Sequence, residues 1–218
     1  MGLSTKICGL NDEAAVTAAV AGGARFVGFV FYPPSPRSVL PAEAATLAKP
    51  VPDEIARVGV FVDPDDELLD SVMANLKLDF IQLHGIESTT RAAEIKARTG
   101  ASIIKAIKVA VPYDIATATE YSAVADWILF DAKAPESLAG VLPGGNALTF
   151  DWRMLAKALQ PAAGLPWLLS GGLDIDNLAK AVRISGACAV DISSGVEMAP
   201  GKKDPELVRQ FLALCAEL

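Results

Sequence analysis

Short runs of β-branched, leucine and aromatic residues recur along the chain, separated by alanine-rich stretches whose apolar positions repeat every three to four residues. The first kind of run reads as a buried strand and the second as a helix packed by one face, so the chain is built of repeated βα units, the pattern of a parallel sheet. Eight strands are expected, over residues 3–8, 26–31, 57–62, 80–83, 103–107, 127–131, 167–170 and 188–192. Helices are expected over 13–21, 43–49, 66–76, 89–98, 152–159, 176–182 and 205–216. The strand ends recur at steps of 21 to 39 residues, each about one βα unit. Eight such units in 218 residues fit a (β/α)8 TIM barrel near its smallest size, and a single domain over residues 1–218 is expected. A doubly wound open sheet uses the same units and is the alternative, but it commonly has fewer strands, and no GxGxxG follows the first strand here.

Two segments depart from the pattern. Residues 109–121 hold Pro112 among scattered β-branched residues and read as a loop with at most a short helix. Residues 132–149 hold Pro135, Gly140, Pro143, Gly144 and Gly145, and read as a long loop over one end of the barrel, a candidate lid.

Composition narrows the function. Hydrophobic residues make up 52% of the chain and charged ones 21%, enough for a sizeable core and too little charge for disorder. The 19 Lys and Arg against 26 Asp and Glu leave a net charge of −7, so there is no basic surface for nucleic acid. The longest charge-free stretch, 158–173, is interrupted by Pro161, Gly164 and Pro166, which argues against a membrane span, and MGLSTKICGL lacks the apolar region of a secretory signal. A cytoplasmic location is expected. Cys8, Cys188 and Cys215 contain no CxxC pair, which argues against disulfides and against structural zinc. With His84 the only histidine, acid–base chemistry falls mainly to carboxylates or a thiol.

In such a barrel the reactive groups stand at strand C-terminal ends and in the loops that follow. Ser170-Gly171-Gly172 precedes a helix expected to begin near Asp174, and Ser193-Ser194-Gly195 follows the eighth strand, which ends at Ile192. Together they occupy the place where these barrels bind phosphate through backbone N–H groups; either loop alone is equally a tight turn that needs glycine sterically. A period of two puts Ser4, Lys6 and Cys8 on one face, with Cys8 at the mouth if that face points inward. Cys8 is then a candidate base or nucleophile, or a small buried hydrophobe, which is how Cys188 and Cys215 read. Lys6 is either the source of a field that favours the thiolate or a buried charge paired with Asp191 on the neighbouring strand. Asp131, at the end of the sixth strand, is a candidate general acid or a plain turn cap. Arg37, in the proline-stiffened loop 32–37, is a candidate bidentate grip for a substrate carboxylate or an ordinary surface arginine.

Lys6-Ile7-Cys8-Gly9, Val27-Gly28-Phe29-Val30-Phe31 with Ser35-Pro36-Arg37, Gln82-Leu83-His84-Gly85, Leu169-Ser170-Gly171-Gly172-Leu173 and Val190-Asp191-Ile192-Ser193-Ser194-Gly195-Val196-Glu197 together resemble the phosphoribosylanthranilate isomerases. Val58-Gly59-Val60-Phe61 and Pro200-Gly201-Lys202-Lys203-Asp204 match as well, so the likeness spans nearly the whole chain in order. The resemblance implies an Amadori rearrangement in tryptophan biosynthesis, N-(5-phosphoribosyl)anthranilate becoming 1-(2-carboxyphenylamino)-1-deoxyribulose 5-phosphate. It implies no cofactor and no metal, a small phosphorylated substrate as the partner, and a monomer or homodimer. By the same likeness Asp131 is the general acid and Cys8 the general base. Arg37 holds the anthranilate carboxylate, and Gly171, Gly172, Ile192, Ser193 and Ser194 bind the substrate around its phosphate.

One departure stands out. The family's sixth loop runs glycine-glycine-x-glycine before Phe-Asp-Trp, where this chain has Gly144-Gly145-Asn146-Ala147 before Phe150-Asp151-Trp152. The related histidine-pathway aminoaldose isomerase is the nearest alternative enzyme; it carries an aspartate where Cys8 stands, and a second phosphate loop for which this chain has no copy. A non-catalytic phosphometabolite-binding barrel is the alternative of another class, and Cys8 with Asp131 at the mouth argues against it.

Overall fold

The computed structural model describes residues 2–134, 144–158, 162 and 164–218. Eight parallel strands close into a barrel in sequence order, β1 (Ser4–Cys8), β2 (Phe26–Val30), β3 (Ala56–Phe61), β4 (Phe80–Leu83), β5 (Ser102–Val109), β6 (Trp127–Ala132), β7 (Trp167–Leu169) and β8 (Ala189–Ile192). The chain forms a (β/α)8 TIM barrel. Pairing of β1 with both β2 and β8 excludes the open sheet, since an open sheet leaves its edge strands unpaired. Around the barrel run α1 (Glu13–Ala21), α2 (Pro41–Leu47), α3 (Asp66–Asn75), α4 (Thr89–Thr99), α5 (Pro112–Ala116), α6 (Arg153–Lys157), α7 (Leu178–Ser185) and α8 (Pro205–Glu217). Among the described residues no helix is long and apolar enough to cross a membrane.

Local chemistry sets several helix starts. Asp12, Asp65, Ser88 and Asp204 each accept a backbone N–H of the first turn of α1, α3, α4 and α8, caps of about 1 kcal/mol apiece. The fifth unit keeps only the five-residue α5 and a 3-10 stretch over Thr117–Tyr121, as the broken pattern there suggested. The helix expected from 176 begins instead at Leu178, because Asp174 Oδ1 accepts the N–H groups of Asp176 and Asn177 and holds them in a turn. Residues 135–143, with Pro135, Gly140 and Pro143 of the expected lid, lie outside the described residues, as does Leu159 at the end of the expected helix 152–159. A short hairpin that local periodicity did not suggest, β9 (Glu197–Ala199) with β10 (Lys202–Lys203), follows the barrel's last strand.

Alternation along the strands makes two cores. Outward residues such as Ile7, Phe29, Phe61, Leu83 and Phe130 pack under the helices, while Phe26, Val58, Ile104, Leu129, Leu168 and Ala189 fill the lower barrel. The floor is aromatic: Phe26 meets Phe80 and Trp127 edge-on at 5.7 and 5.4 Å. In the upper layer the inward positions turn polar, with Lys6, Gln82, His84, Asp131, Ser170 and Asp191 all buried. A polar layer so placed needs partners, and those partners make up the site.

Outside the barrel, Lys105 Nζ donates to Glu87 Oε2 at 2.7 Å and to the carbonyl of Gly85 at 2.9 Å, while Glu87 Oε1 accepts the N–H groups of Asp63 and Gly85. Burial alone would raise the Glu87 carboxyl, but the Lys105 ammonium and these donors outweigh it and hold it below the ordinary range. The pair fastens the loops after β3 and β4, and so steadies the backbone that carries His84.

Candidate active site

The register pairs Lys6 with Asp191 across the β1–β8 seam. Lys6 is fully buried and donates to Asp191 Oδ1 at 2.8 Å, and Asp191 Oδ2 accepts from Ser170 Oγ at 3.0 Å. Lys6 is thus the buried charge paired with Asp191, and its ammonium also acts on the Cys8 thiol beside it, favouring the thiolate. Burial pushes the Cys8 thiol up, Lys6 opposes that and Asp191 adds to it; the balance lies above the ordinary value. Gly28 makes the arrangement possible: a Cβ there would lie 3.2 Å from Lys6 Nζ and 3.3 Å from Cys8 Sγ.

Asp131, next to last in β6, is buried, with Oδ1 accepting the N–H of Ala132 at 2.9 Å and Oδ2 3.1 Å from His84 Nε2. His84 Nδ1 lies 2.9 Å from Gln82 Nε2. Sequence reasoning left His84 without a role, since two residues 47 positions apart give no local sign of contact.

The loop after β7 is set by Gly171, whose φ of +87° is a conformation that other residues rarely adopt, and where a Cβ would stand 2.7 Å from Ala132 N. Asn177 Nδ2 donates to the carbonyl of Gly172 and pins the same loop. After β8, Ser193 Oγ donates to the carbonyl of Cys8 at 3.1 Å, joining the phosphate-type loop to the end of β1.

Cys8, Arg37, Asp131, Gly171, Gly172, Ser193 and Ser194 line one open-mouthed cavity. Ile192 does not: by alternation Asp191 and Ser193 face the cavity while the Ile192 side chain, 1% exposed, belongs to the outer core. Val30, Tyr32, Val60 and Leu173 give the cavity an apolar wall suited to a planar ring. Among the described residues no group of three or more His, Cys, Asp or Glu side chains could hold a metal ion.

Two cysteine readings differ in outcome. Cys215 is buried and its thiol is pushed up to about 11 by burial, but Cys188 is exposed, because β8 begins one residue later and leaves it on the turn that follows α7. Arg37 is no surface arginine: it is 5% exposed. Its Nε and Nη2 donate to Glu197 Oε1 and Oε2 at 2.7 and 2.9 Å, and Nη2 also reaches the carbonyl of Gly145 at 3.3 Å. Sequence reasoning gave Glu197 and Lys203 no task beyond their place in the matching motifs, although Pro200-Gly201 between them is a turn signal that brings such flanking residues together. Ala147 sits at φ +54°, a left-handed conformation costing a non-glycine residue about 1 kcal/mol, at the position where the family pattern has glycine.

Residues 5–213 match the family model described as N-(5'phosphoribosyl)anthranilate (PRA) isomerase. A relative from Paracoccus denitrificans named N-(5'-phosphoribosyl)anthranilate isomerase is 54% identical over 215 residues, covering 98% of this chain and 97% of its own. The crystal structure of phosphoribosyl anthranilate isomerase from Thermotoga maritima is 35% identical, with a TM-score of 0.86 over 99% of this chain and 100% of that one. A further isomerase structure, in complex with reduced 1-(o-carboxyphenylamino)-1-deoxyribulose 5-phosphate, is 32% identical with a TM-score of 0.83, over 99% of this chain and 100% of that one.

Proposed function

The chain belongs to the N-(5'-phosphoribosyl)anthranilate isomerase family, enzymes of tryptophan biosynthesis, and from that premise we propose how its own residues divide the reaction. Asp131 as general acid gives a proton to the ribose ring oxygen as the C1–O bond breaks, leaving a Schiff base between C1 and the anthranilate nitrogen. Cys8 as thiolate removes the C2 proton, and the electron pair neutralises the iminium to give an enolamine. Tautomerisation then moves the hydroxyl proton at O2 to C1 and leaves the ketone. The ammonium of Lys6, held by Asp191, favours the thiolate that this step requires.

The observation that carries this reading is that a thiol on β1 and a carboxyl on β6 line a single cavity with the glycine and serine loops after β7 and β8. An anchored phosphate would hold the sugar between acid and base, so that proton transfer needs no further search for geometry. Arg37 is assigned the anthranilate carboxylate, and Gly171, Gly172, Ser193 and Ser194 the phosphate, with Ile192 contributing through its backbone alone. Loss of the fluorescence of phosphoribosylanthranilate on adding the purified protein tests the activity directly.

Arg37→Met is expected to raise KM by about tenfold or more, the worth of a charge-assisted hydrogen bond, with a smaller effect on kcat. An unchanged KM would remove the carboxylate from Arg37. Alkylation offers a second check. Iodoacetamide at neutral pH should label exposed Cys188 first with activity retained, while inactivation follows slower labelling of Cys8 and Cys215 stays unmodified. Because the Cys8 value is raised, neutral pH lies below it and each unit of rise in pH gives about ten times more thiolate, so inactivation should accelerate about tenfold per unit from neutral upward. Mass spectrometry of partly modified protein reads the order; activity lost in step with Cys188 would contradict it.

A further inference from the structure

Arg37, Lys203 and Glu197 form a buried cluster in which two cations share one carboxylate. Glu197 Oε1 accepts from Arg37 Nε at 2.7 Å and from Lys203 Nζ at 2.6 Å, while Oε2 accepts from Arg37 Nη2 at 2.9 Å and from the N–H of Gly201 at 3.3 Å. Lys203 Nζ goes on to the carbonyl and the hydroxyl of Ser193, at 3.1 and 3.3 Å. The side chains of all three are 6% exposed or less. The other fully buried lysine–carboxylate pairs among the described residues, Lys6 with Asp191 and Lys105 with Glu87, match one cation to one carboxylate. This cluster alone among the three keeps an excess positive charge, and it keeps it at the wall of the cavity.

The geometry of the fork decides what that charge can meet. A guanidinium offers a carboxylate two planar edges, the side edge Nε/Nη2 and the end edge Nη1/Nη2. Glu197 occupies the side edge completely and the Gly145 carbonyl takes the remaining Nη2 hydrogen, so a substrate carboxylate is left with Nη1 at the end. That end lies against Gly145, where a Cβ would collide with Nη1, and Gly145 and Arg37 both line the cavity. An arginine without such a partner samples many rotamers, and holding it costs up to about 2 kcal/mol of side-chain entropy that the substrate must otherwise supply.

We propose that Glu197 is a positioning residue for the isomerase reaction. It turns the end of the Arg37 guanidinium toward the substrate's anthranilate carboxylate and, through Lys203 and Ser193, ties that grip to the loop assigned to the phosphate. The proposal rests on the reading that Arg37 binds this carboxylate. Carboxylate and phosphate, at opposite ends of the substrate, are thereby held in one rigid frame built on the β9–β10 hairpin.

The test is a double-mutant cycle with Glu197→Gln, Arg37→Met and the combined variant, measuring KM and kcat for phosphoribosylanthranilate and the inhibition constant of inorganic phosphate. Glu197→Gln is expected to raise KM about tenfold while kcat changes by less than about threefold, since neither acid nor base is touched. Phosphate inhibition should change by less than about threefold, because Lys203 retains Ser193. In the Arg37→Met background the same change should have almost no effect on KM, as it acts through the missing guanidinium. An equal rise in KM in both backgrounds would overturn the proposal, as would a fall in kcat at constant KM. Should Arg37→Met leave KM unaltered, the assignment of the carboxylate falls first and takes the proposal with it. Should Glu197→Gln fail to fold, Glu197→Asp, which keeps the charge but draws it back from the fork, is expected to give a smaller rise in KM that again vanishes without Arg37; a rise that persists would refute it.

Discussion

Replacing Asp131 by asparagine is expected to lower kcat for phosphoribosylanthranilate by about 10³-fold, within the ~10²–10⁴ that a positioned acid contributes. The amide has the shape of the carboxyl, and its oxygen can still accept the N–H of Ala132 that Oδ1 accepts at 2.9 Å. It has no proton acid enough to give the ring oxygen. The variant should therefore fold, with a thermal midpoint close to that of the parent chain, and should bind a reduced, phosphate-bearing product analogue with similar affinity. Turnover at the parental rate would remove Asp131 from its role. Lost turnover together with lost analogue binding would point to a collapsed pocket instead of a missing proton.

Cys8→Ala has an expected effect of the same order, and its signature separates base from acid. Removal of one sulfur from a small, buried site should cost no more than about 1–2 kcal/mol of stability, because Lys6 keeps Asp191 as its partner. Asp131 is untouched in this variant, so ring opening remains available while C2 proton removal does not. A substrate deuterated at C2 of the ribose is the direct probe: Cys8→Ala should turn over by less than 1% of the parental rate, with whatever remains showing a larger isotope effect, since proton abstraction has become the slow step. Parental turnover in Cys8→Ala would overturn the assignment of the base.

What the chain's pattern conveyed was whatever depends on neighbours in sequence. Strand positions followed from apolar runs, and a period of two put Lys6 and Cys8 on one face of β1, which closure of the barrel turns to the lumen. Parity also limits what Ile192 can offer: it lies between two inward residues and its side chain turns to the helices, which leaves only its backbone for a ligand. The partners of these residues were harder to read. Arg37 and Glu197 are 160 residues apart, and only closure of the barrel brings the second turn of chain against the last hairpin. Cys188 illustrates a smaller limit, since a shift of one residue at the start of β8 moves a side chain from core to surface.

The seam between β1 and β8 has a consequence for biosynthesis of the molecule itself. Lys6 and Asp191 meet across 185 residues, and Ser193 closes on Cys8 over the same span. A nascent polypeptide emerging from the ribosome carries its thiol early, yet has no seat for an ammonium partner until the eighth strand has been translated. Catalytic competence should thus arrive abruptly and late, and incomplete translation products should accumulate as inert thiols with no partially working predecessor.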